Sequence, residues 1–429
     1  MHPMLTLESN HLAQQFSTIQ KQALRQKQKN MELRFKSEHQ RLPFGFLELP
    51  YQKNLAPYAR LASPIQKKMN TLLTLGIGGS SLGTKAALEA LNLNPKTNFL
   101  FLESPHPSEI ERTFRKIDFQ KTTVNVVSKS GNTLETIALF FLVLEELQKK
   151  VPASRIQEHI IITTEKNENF LYTLAKQKKW RVLEIPKNVP GRYSVLSAVG
   201  LFALCVAGAN IKSILAGARE MWEHPQAAFD FATWAYGAHR LLHRPIHVFF
   251  PYDPRLSFFA DWFLQLWAES LGKSETSGPT PLKALGPQDQ HSLCQLFLAG
   301  PRDKWFTLLS VRSHKPTFKI SGSLGSFSYL KNKDTQTILQ AELEATQTAL
   351  QAFQNPTLHL SIHHLDEKSL GALFMFFELA TVACGYFYDI NPFDQPAVEH
   401  IKRHSRSLLT TAPIKSVKPH LDSSDTKPV

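Results

Sequence analysis

Residues 128–133, Ser-Lys-Ser-Gly-Asn-Thr, gather three hydroxyls, one amine and a glycine into a single short turn. Such a set suits an anion. The hydroxyls and backbone N–H groups donate, glycine lets the backbone approach closely, and a helix starting here adds the positive end of its dipole. The apolar run TTVNVV (122–127) before it and the 3.6-periodic TLETIALFFLVLEELQKK after it read as a strand feeding a helix. The same residues also suit an ordinary capped helix start, with Asn132 or Ser130 as N-cap. A second turn, GIGGSSLG (76–83), has the same character. Ser81 stands where GxGxxG needs glycine, and Thr84–Lys85 reverses the order in GxxxxGK[ST], so neither nucleotide pattern is met. What remains is a flexible loop carrying Ser80 and Ser81. Ligands of open α/β sheets bind at the carboxyl ends of strands, where both loops would sit.

Groups able to move protons come later in the chain. In FLQLWAESLGK, Gln265 and Glu269 are four apart and share a helix face bordered by apolar residues. Half-desolvation would raise the Glu269 pKa toward the range useful for proton abstraction, which makes it a general-base candidate; the alternative is a solvated pair with Lys273. Arg192, in PGRYSVLSAVG after the strand RVLEIP, offers a permanent planar cation for an oxyanion, or a surface salt bridge. His291 rides on the Gly/Pro-rich connection GPTPLKALGPQDQHSLCQLF. In NPFDQPAVEHIK, Asp394 can cap a helix that places Gln395, Glu399 and Lys402 on one face, where Lys402 reaches a ligand or pairs with Glu399. HRLLH lacks the Glu of a zinc-protease helix, and His359 and His363 alternate with apolar residues as on the wet side of a strand, so no metal site is expected.

The elements that must position these residues alternate. From about residue 70, strands NTLLTLGIG, NFLFLES, TVNVVS, HIIITT and RVLEIP are separated by helices; from about 211 a second series has strands near PIHVFFPY, KWFTLLSV and PTLHLSIHH. The expected fold class is α/β: two doubly wound domains with parallel-rich sheets, residues 41–209 and 210–368, between a helical arm (1–40) and a C-terminal helical arm with a disordered tail (369–429). A chain of 429 residues is long for one core. Residues 370–390 approach membrane-span length but contain Glu378, and a buried core helix is expected there. The net charge of +13 suits an anionic partner. No Lys/Arg block, helix-turn-helix or aromatic-interleaved basic patch accompanies it, so a small metabolite is expected rather than nucleic acid, and no membrane partner. Cys205, Cys294 and Cys384 are far apart in apolar runs and read as reduced core residues; the first ten residues lack the apolar segment of a signal peptide, so a cytoplasmic protein is expected.

Taken in order, GIGGSSLG, SKSGNTLET, GRYSVLSAVGL, ESLGK, QDQHSLCQLF and INPFDQPAVEHIK resemble the bacterial-type glucose-6-phosphate isomerase family, over residues from about 70 to 402. The resemblance implies two sugar-isomerase (SIS) domains, a homodimer, no metal or organic cofactor, and reversible isomerisation of glucose 6-phosphate to fructose 6-phosphate through a cis-enediol(ate). Position by position it implies a phosphate clamp of Ser128, Lys129, Ser130 and Thr133, with Gly79 and Ser80 lining the sugar. Glu269 would carry the proton between C2 and C1, Arg192 with Gly191 would steady the enediolate, and Gln265 and Gln395 would contact substrate. His291 and Lys402 would open the ring, the histidine reaching in from the neighbouring subunit. Three departures concern loop shape: Pro190 replaces a glycine, Ala397 replaces another, and nothing before residue 70 matches a motif. Two other readings stay open: a sugar-phosphate-binding SIS regulator, which would need the clamp but not Glu269, His291 and Lys402 together, and an isomerase of another hexose phosphate such as mannose 6-phosphate.

Overall fold

The computed structural model describes residues 4–38, 44–93, 95–322 and 325–410. Its strands are β1 (Leu5–Glu8), β2 (Thr71–Leu75), β3 (Asn98–Leu102), β4 (Thr122–Val127), β5 (Ile160–Thr164), β6 (Arg181–Glu184), β7 (Ile246–Pro251), β8 (Thr280–Lys283), β9 (Lys304–Val311) and β10 (Thr357–Ile362). The first sheet has the order β3-β2-β4-β5-β6, parallel throughout. Every residue of β2, β4 and β5 is buried, as continuous apolar strands covered on both faces must be. The chain leaves β2 for β3 on one side and returns to β4 on the other. The strand order therefore reverses between β2 and β4, where a crevice opens at the carboxyl ends of the strands. The loops bordering that crevice are GIGGSS and SKSGNT.

The second sheet repeats this order as β8-β7-β9-β10, with β1 added antiparallel at the edge. Sequence reasoning missed both outer strands. β8 is four residues long and contains Pro281, which a sheet tolerates at its edge but which masks the strand pattern. β1 lies in the stretch expected to be a helical arm. The helical parts of that arm are Asn10–Gln14 and Thr18–Glu38, while residues 5–8 pair with β10 and set Glu8 opposite His359. His359 is thus not on a wet face: one ring nitrogen lies 2.8 Å from Ser310 Oγ, the other 3.5 Å from Glu8, and burial lowers its pKa.

The helix Glu367–Tyr388 is long and apolar enough to cross a membrane, yet 94% of its most apolar window is buried inside the fold. It is a core element rather than a terminal arm. Within it Glu378 is 0% exposed, and neither carboxyl oxygen has a hydrogen-bond partner among the described residues. Burial pushes this carboxyl well above its ordinary value of 4.5. The folded chain therefore keeps a proton that the unfolded chain releases. The stability tied to the neutral acid is full below that ordinary value and declines by about 1.4 kcal/mol per pH unit as pH rises toward the folded pKa. In urea melts, the stability of Glu378→Gln relative to the unsubstituted protein should accordingly grow from about pH 5 to about pH 7; a constant difference would mean that the acid is ionised in the fold.

Both sheets lie in one compact body, residues 1–393, and residues 394–429 form a second. The described part of the second is mainly the helix Pro396–Thr410. The tail expected to be disordered lies outside the described residues from 411 onward.

Candidate active site

β4 delivers Ser128 to the crevice, buried, with its Oγ 2.8 Å from Thr133 Oγ1. Between them Gly131 takes φ +63°, and a Cβ there would lie 1.8 Å from Asn169 Oδ1, so the turn closes only with glycine. The helix Leu134–Lys150 begins after Thr133, which occupies the N-cap position without capping through its side chain. Its hydroxyl faces Ser128 instead. Asn132 and Ser130 do not take the capping role either: Ser130 Oγ accepts from the Asn132 N–H at 3.3 Å, and Asn132 Oδ1 accepts from the Phe170 N–H at 3.3 Å. The hydroxyls and the uncapped first turn thus face one space, where an anion would meet donors and the helix dipole together. Lys129 donates to the Lys187 carbonyl at 2.7 Å, and burial lowers its pKa against the opposing pull of Glu165.

The GIGGSS loop docks directly on the turn that carries Arg192. A Cβ on Gly79 would stand 2.4 Å from the Gly191 carbonyl carbon, so the two backbones touch where a side chain has no room. Ser194 Oγ donates to Gly191 O at 2.6 Å and lies 3.4 Å from Gly79 O, tying the two turns together. Pro190 has φ −63°, the value its ring imposes, and leads into the short turn Gly191–Tyr193. At this point the departure from two glycines costs the backbone nothing.

Arg192 is 3% exposed, and its fork reaches Ser270, Glu269 and Pro392. Nε donates to Ser270 Oγ at 2.8 Å, Nη1 to Glu269 Oε2 at 3.2 Å and Nη2 to the Pro392 carbonyl at 2.7 Å. Glu269 accepts at its other oxygen from Gln265 Nε2 at 3.1 Å, and its side chain remains 32% exposed. Lys273, the alternative partner weighed from the sequence, donates to the Glu269 carbonyl oxygen at 2.9 Å. The carboxylate is thus held by a guanidinium and an amide yet open on one side, as a base that must reach a C–H bond needs to be. Gln265 Oε1 is buried without a partner among the described residues, an acceptor suited to a ligand hydroxyl. A Cβ on Gly78 would meet Gln265 Nε2 at 2.8 Å, which brings the first loop to the base as well.

The structure therefore brings Ser128, Ser130, Thr133, Gly79, Ser80, Gly191, Arg192, Gln265 and Glu269 around one crevice. It does not bring His291 there: this residue is exposed on the turn Gln288–His291, its side chain without a hydrogen bond or ion pair among the described residues. Lys402 and Gln395 belong to the second body, where Lys402 pairs with Glu399 at 2.7 Å. Sequence reasoning missed Ser270, Tyr193 and the segment 44–51. Tyr193 Oη lies 3.1 Å from Ser270 Oγ, burial pushes its pKa up to about 12, and its ring packs 5.0 Å from Phe46 and 5.5 Å from Phe393. Gly45 donates to the Asn188 carbonyl at 3.3 Å. The stretch before residue 70 thus buttresses the Arg192 turn, a role that apolar residues do not advertise by type.

A clamp for an anion and, across a backbone contact, a carboxylate paired with a guanidinium can hold a charged end of a molecule while a proton is moved elsewhere in it. The phosphoglucose isomerase family model matches residues 62–302. A probable glucose-6-phosphate isomerase of Haloquadratum walsbyi is 39% identical over 343 residues, 79% of each chain. The glucose-6-phosphate isomerase of Carboxydothermus hydrogenoformans is 35% identical, over 88% of this chain and 87% of its own. Among solved structures, a hypothetical protein from Thermus thermophilus superposes with TM-score 0.88 at 33% identity, covering 95% of this chain and all of its own. A glucose-6-phosphate isomerase from Chlamydia trachomatis, at 22% identity and TM-score 0.82 over 95% of this chain and 88% of its own, shares the fold. Matched over more than half its length by the family model and along most of it by these relatives, the chain belongs to the phosphoglucose isomerase family.

Proposed function

We propose that the protein interconverts glucose 6-phosphate and fructose 6-phosphate. The observation that carries this reading is the packing of the GIGGSS loop between the two parts of the site, Gly76 against Val127 just before the Ser128–Thr133 turn and Gly79 against Gly191 beside the Arg192–Glu269 pair, in a chain of this family. The turn, with Lys129 and Ser130, binds the 6-phosphate, and that binding energy orients the far end of the sugar. Glu269 takes the C2 proton of the open-chain aldose and returns it to C1. Arg192 offsets the charge on the enediolate oxygen, and Gly79, Ser80, Gly191, Gln265 and Gln395 contact the hydroxyls. His291 and Lys402 open the ring. We read residues 41–209 and 210–368 as two α/β units, on the strength of the repeated strand order.

The working form on this reading is a cytoplasmic homodimer in which His291 serves the partner's site. Two features support it: His291 is exposed, and the excursion after β9 exposes Phe318, Phe327 and Tyr329 at 68, 58 and 65%. Sedimentation of the purified chain tests the dimer. The activity is tested by incubating the protein with fructose 6-phosphate and identifying the product. Glucose 6-phosphate is expected; mannose 6-phosphate would move the reading to another isomerase, and no conversion would leave a binding module. Ser128→Ala with Thr133→Ala should raise KM about tenfold or more with kcat changed less, since removing hydrogen bonds to a charged group costs about 1.5–3 kcal/mol each. A lower kcat at unchanged KM would misplace the clamp.

A further inference from the structure

The helix Ser257–Leu271 carries Glu269 and, directly after it, a hydroxyl to which the proposed mechanism gives no part. Ser270 is 0% exposed, on a helix whose other buried positions are all apolar. A hydroxyl buried there costs free energy unless it is hydrogen-bonded. A serine inside a helix can satisfy itself on the carbonyl one turn before it; among the described residues, Ser270 does not. Its partners come instead from the turn Gly191–Tyr193, 77 and 78 positions away: Oγ accepts from Arg192 Nε at 2.8 Å and lies 3.1 Å from Tyr193 Oη. Arginine only donates, so Ser270 must accept from it, and either the serine or the phenol proton completes the second bond. Arg192 thus holds two consecutive residues of one helix, Ser270 through Nε and Glu269 through Nη1 at 3.2 Å. The spacing of guanidinium and carboxylate is set within a single helical turn.

The two contacts respond differently to proton transfer. Once Glu269 has taken a proton from carbon it is neutral, and its attraction for Arg192 weakens at the stage when the guanidinium must face the enediolate. The Ser270 hydroxyl is neutral throughout, so its hold on Nε is the same before and after. Tyr193 holds that hydroxyl in turn, and burial, by pushing the phenol up to about 12, keeps this partner neutral as well. The Pro392 carbonyl, 2.7 Å from Nη2, is another neutral acceptor, but it is not carried on the helix of the base. We infer that Ser270 is a positioning residue for the isomerisation: its hydroxyl anchors Arg192 Nε to the helix of the base and keeps the guanidinium in place while Glu269 holds the substrate proton. The inference rests on the isomerase reading, with Arg192 acting in the transition state.

The test measures kcat and KM for fructose 6-phosphate with Ser270→Ala, Ser270→Thr, Arg192→Lys and the double variant Arg192→Lys with Ser270→Ala. Alanine removes the acceptor, and kcat is expected to fall about tenfold with KM within about twofold. Threonine keeps the hydroxyl and should hold kcat within about threefold of wild type. In the Arg192→Lys background a methylene stands in place of Nε, so Ser270→Ala should lower kcat by less than about twofold further; damage to packing would cost the same factor in both backgrounds. An Ala variant with wild-type kcat, one affected only in KM, one whose loss is undiminished in Arg192→Lys, or a Thr variant as slow as the Ala one overturns the proposal. Should Ser270→Ala fail to fold, a folded Thr variant decides: near wild-type kcat supports the proposal, and a loss of about tenfold or more overturns it. Failure of both to fold would make Ser270 a residue of the core alone and overturns it too. No turnover by the wild-type control is the separate failure of the isomerase reading, and it removes the proposal as well.

Discussion

Glu269→Gln is expected to lower kcat by about 10²-fold or more, the usual scale for loss of a general base, with KM little changed. Glutamine keeps the length of the side chain. Its amide oxygen can still take one of the two hydrogen bonds that now reach the carboxylate, from Gln265 at 3.1 Å and from Arg192 at 3.2 Å. What it loses is the ability to accept a proton from carbon. Exchange of the substrate C2 proton with solvent deuterium should therefore vanish in step with net isomerisation. Near wild-type turnover would take the base role away from Glu269.

Arg192→Lys should cost about 10²- to 10³-fold in kcat, the effect of removing one preorganised donor from a developing oxyanion. The substitution keeps the charge, so any loss reports geometry. The guanidinium spans Ser270 Oγ, Glu269 Oε2 and the Pro392 carbonyl, each from a different nitrogen. A lysine ammonium is one compact point and cannot hold that fork. Steady-state kinetics decide between two roles: a fall in kcat at similar KM places the interaction in the transition state, whereas a rise in KM alone would assign Arg192 to ground-state binding. Because Arg192 and Glu269 touch, the double variant should lose much less than the product of the two single losses.

The strands of the first sheet were legible because parallel strands covered on both faces must be continuously apolar, as in TTVNVV and HIIITT. The two ligand loops were legible because glycine and hydroxyl residues at a strand-to-helix switch have few other uses. β1 and β8 were not, since a four-residue edge strand owes its existence to its neighbour rather than to its own pattern. Glu269 and Gln265 could be paired from their spacing on one helix. Ser270, next to Glu269 in the chain, points about 100° further around the helix and showed no reason to be noticed.

By itself, the sequence determined the α/β alternation, the anion-binding turn and the set of residues able to do acid–base chemistry. These follow from period, turn chemistry and residue type, which are local properties of the chain. Only the tertiary structure decided what surrounds Arg192. Its partners Glu269, Ser270 and Pro392 lie 77, 78 and 200 positions away, and no local pattern encodes contacts of that separation. The same holds for Glu378: a buried helix was legible in the apolar run, but that both carboxyl oxygens end without a hydrogen-bond partner among the described residues depends on what packs around it.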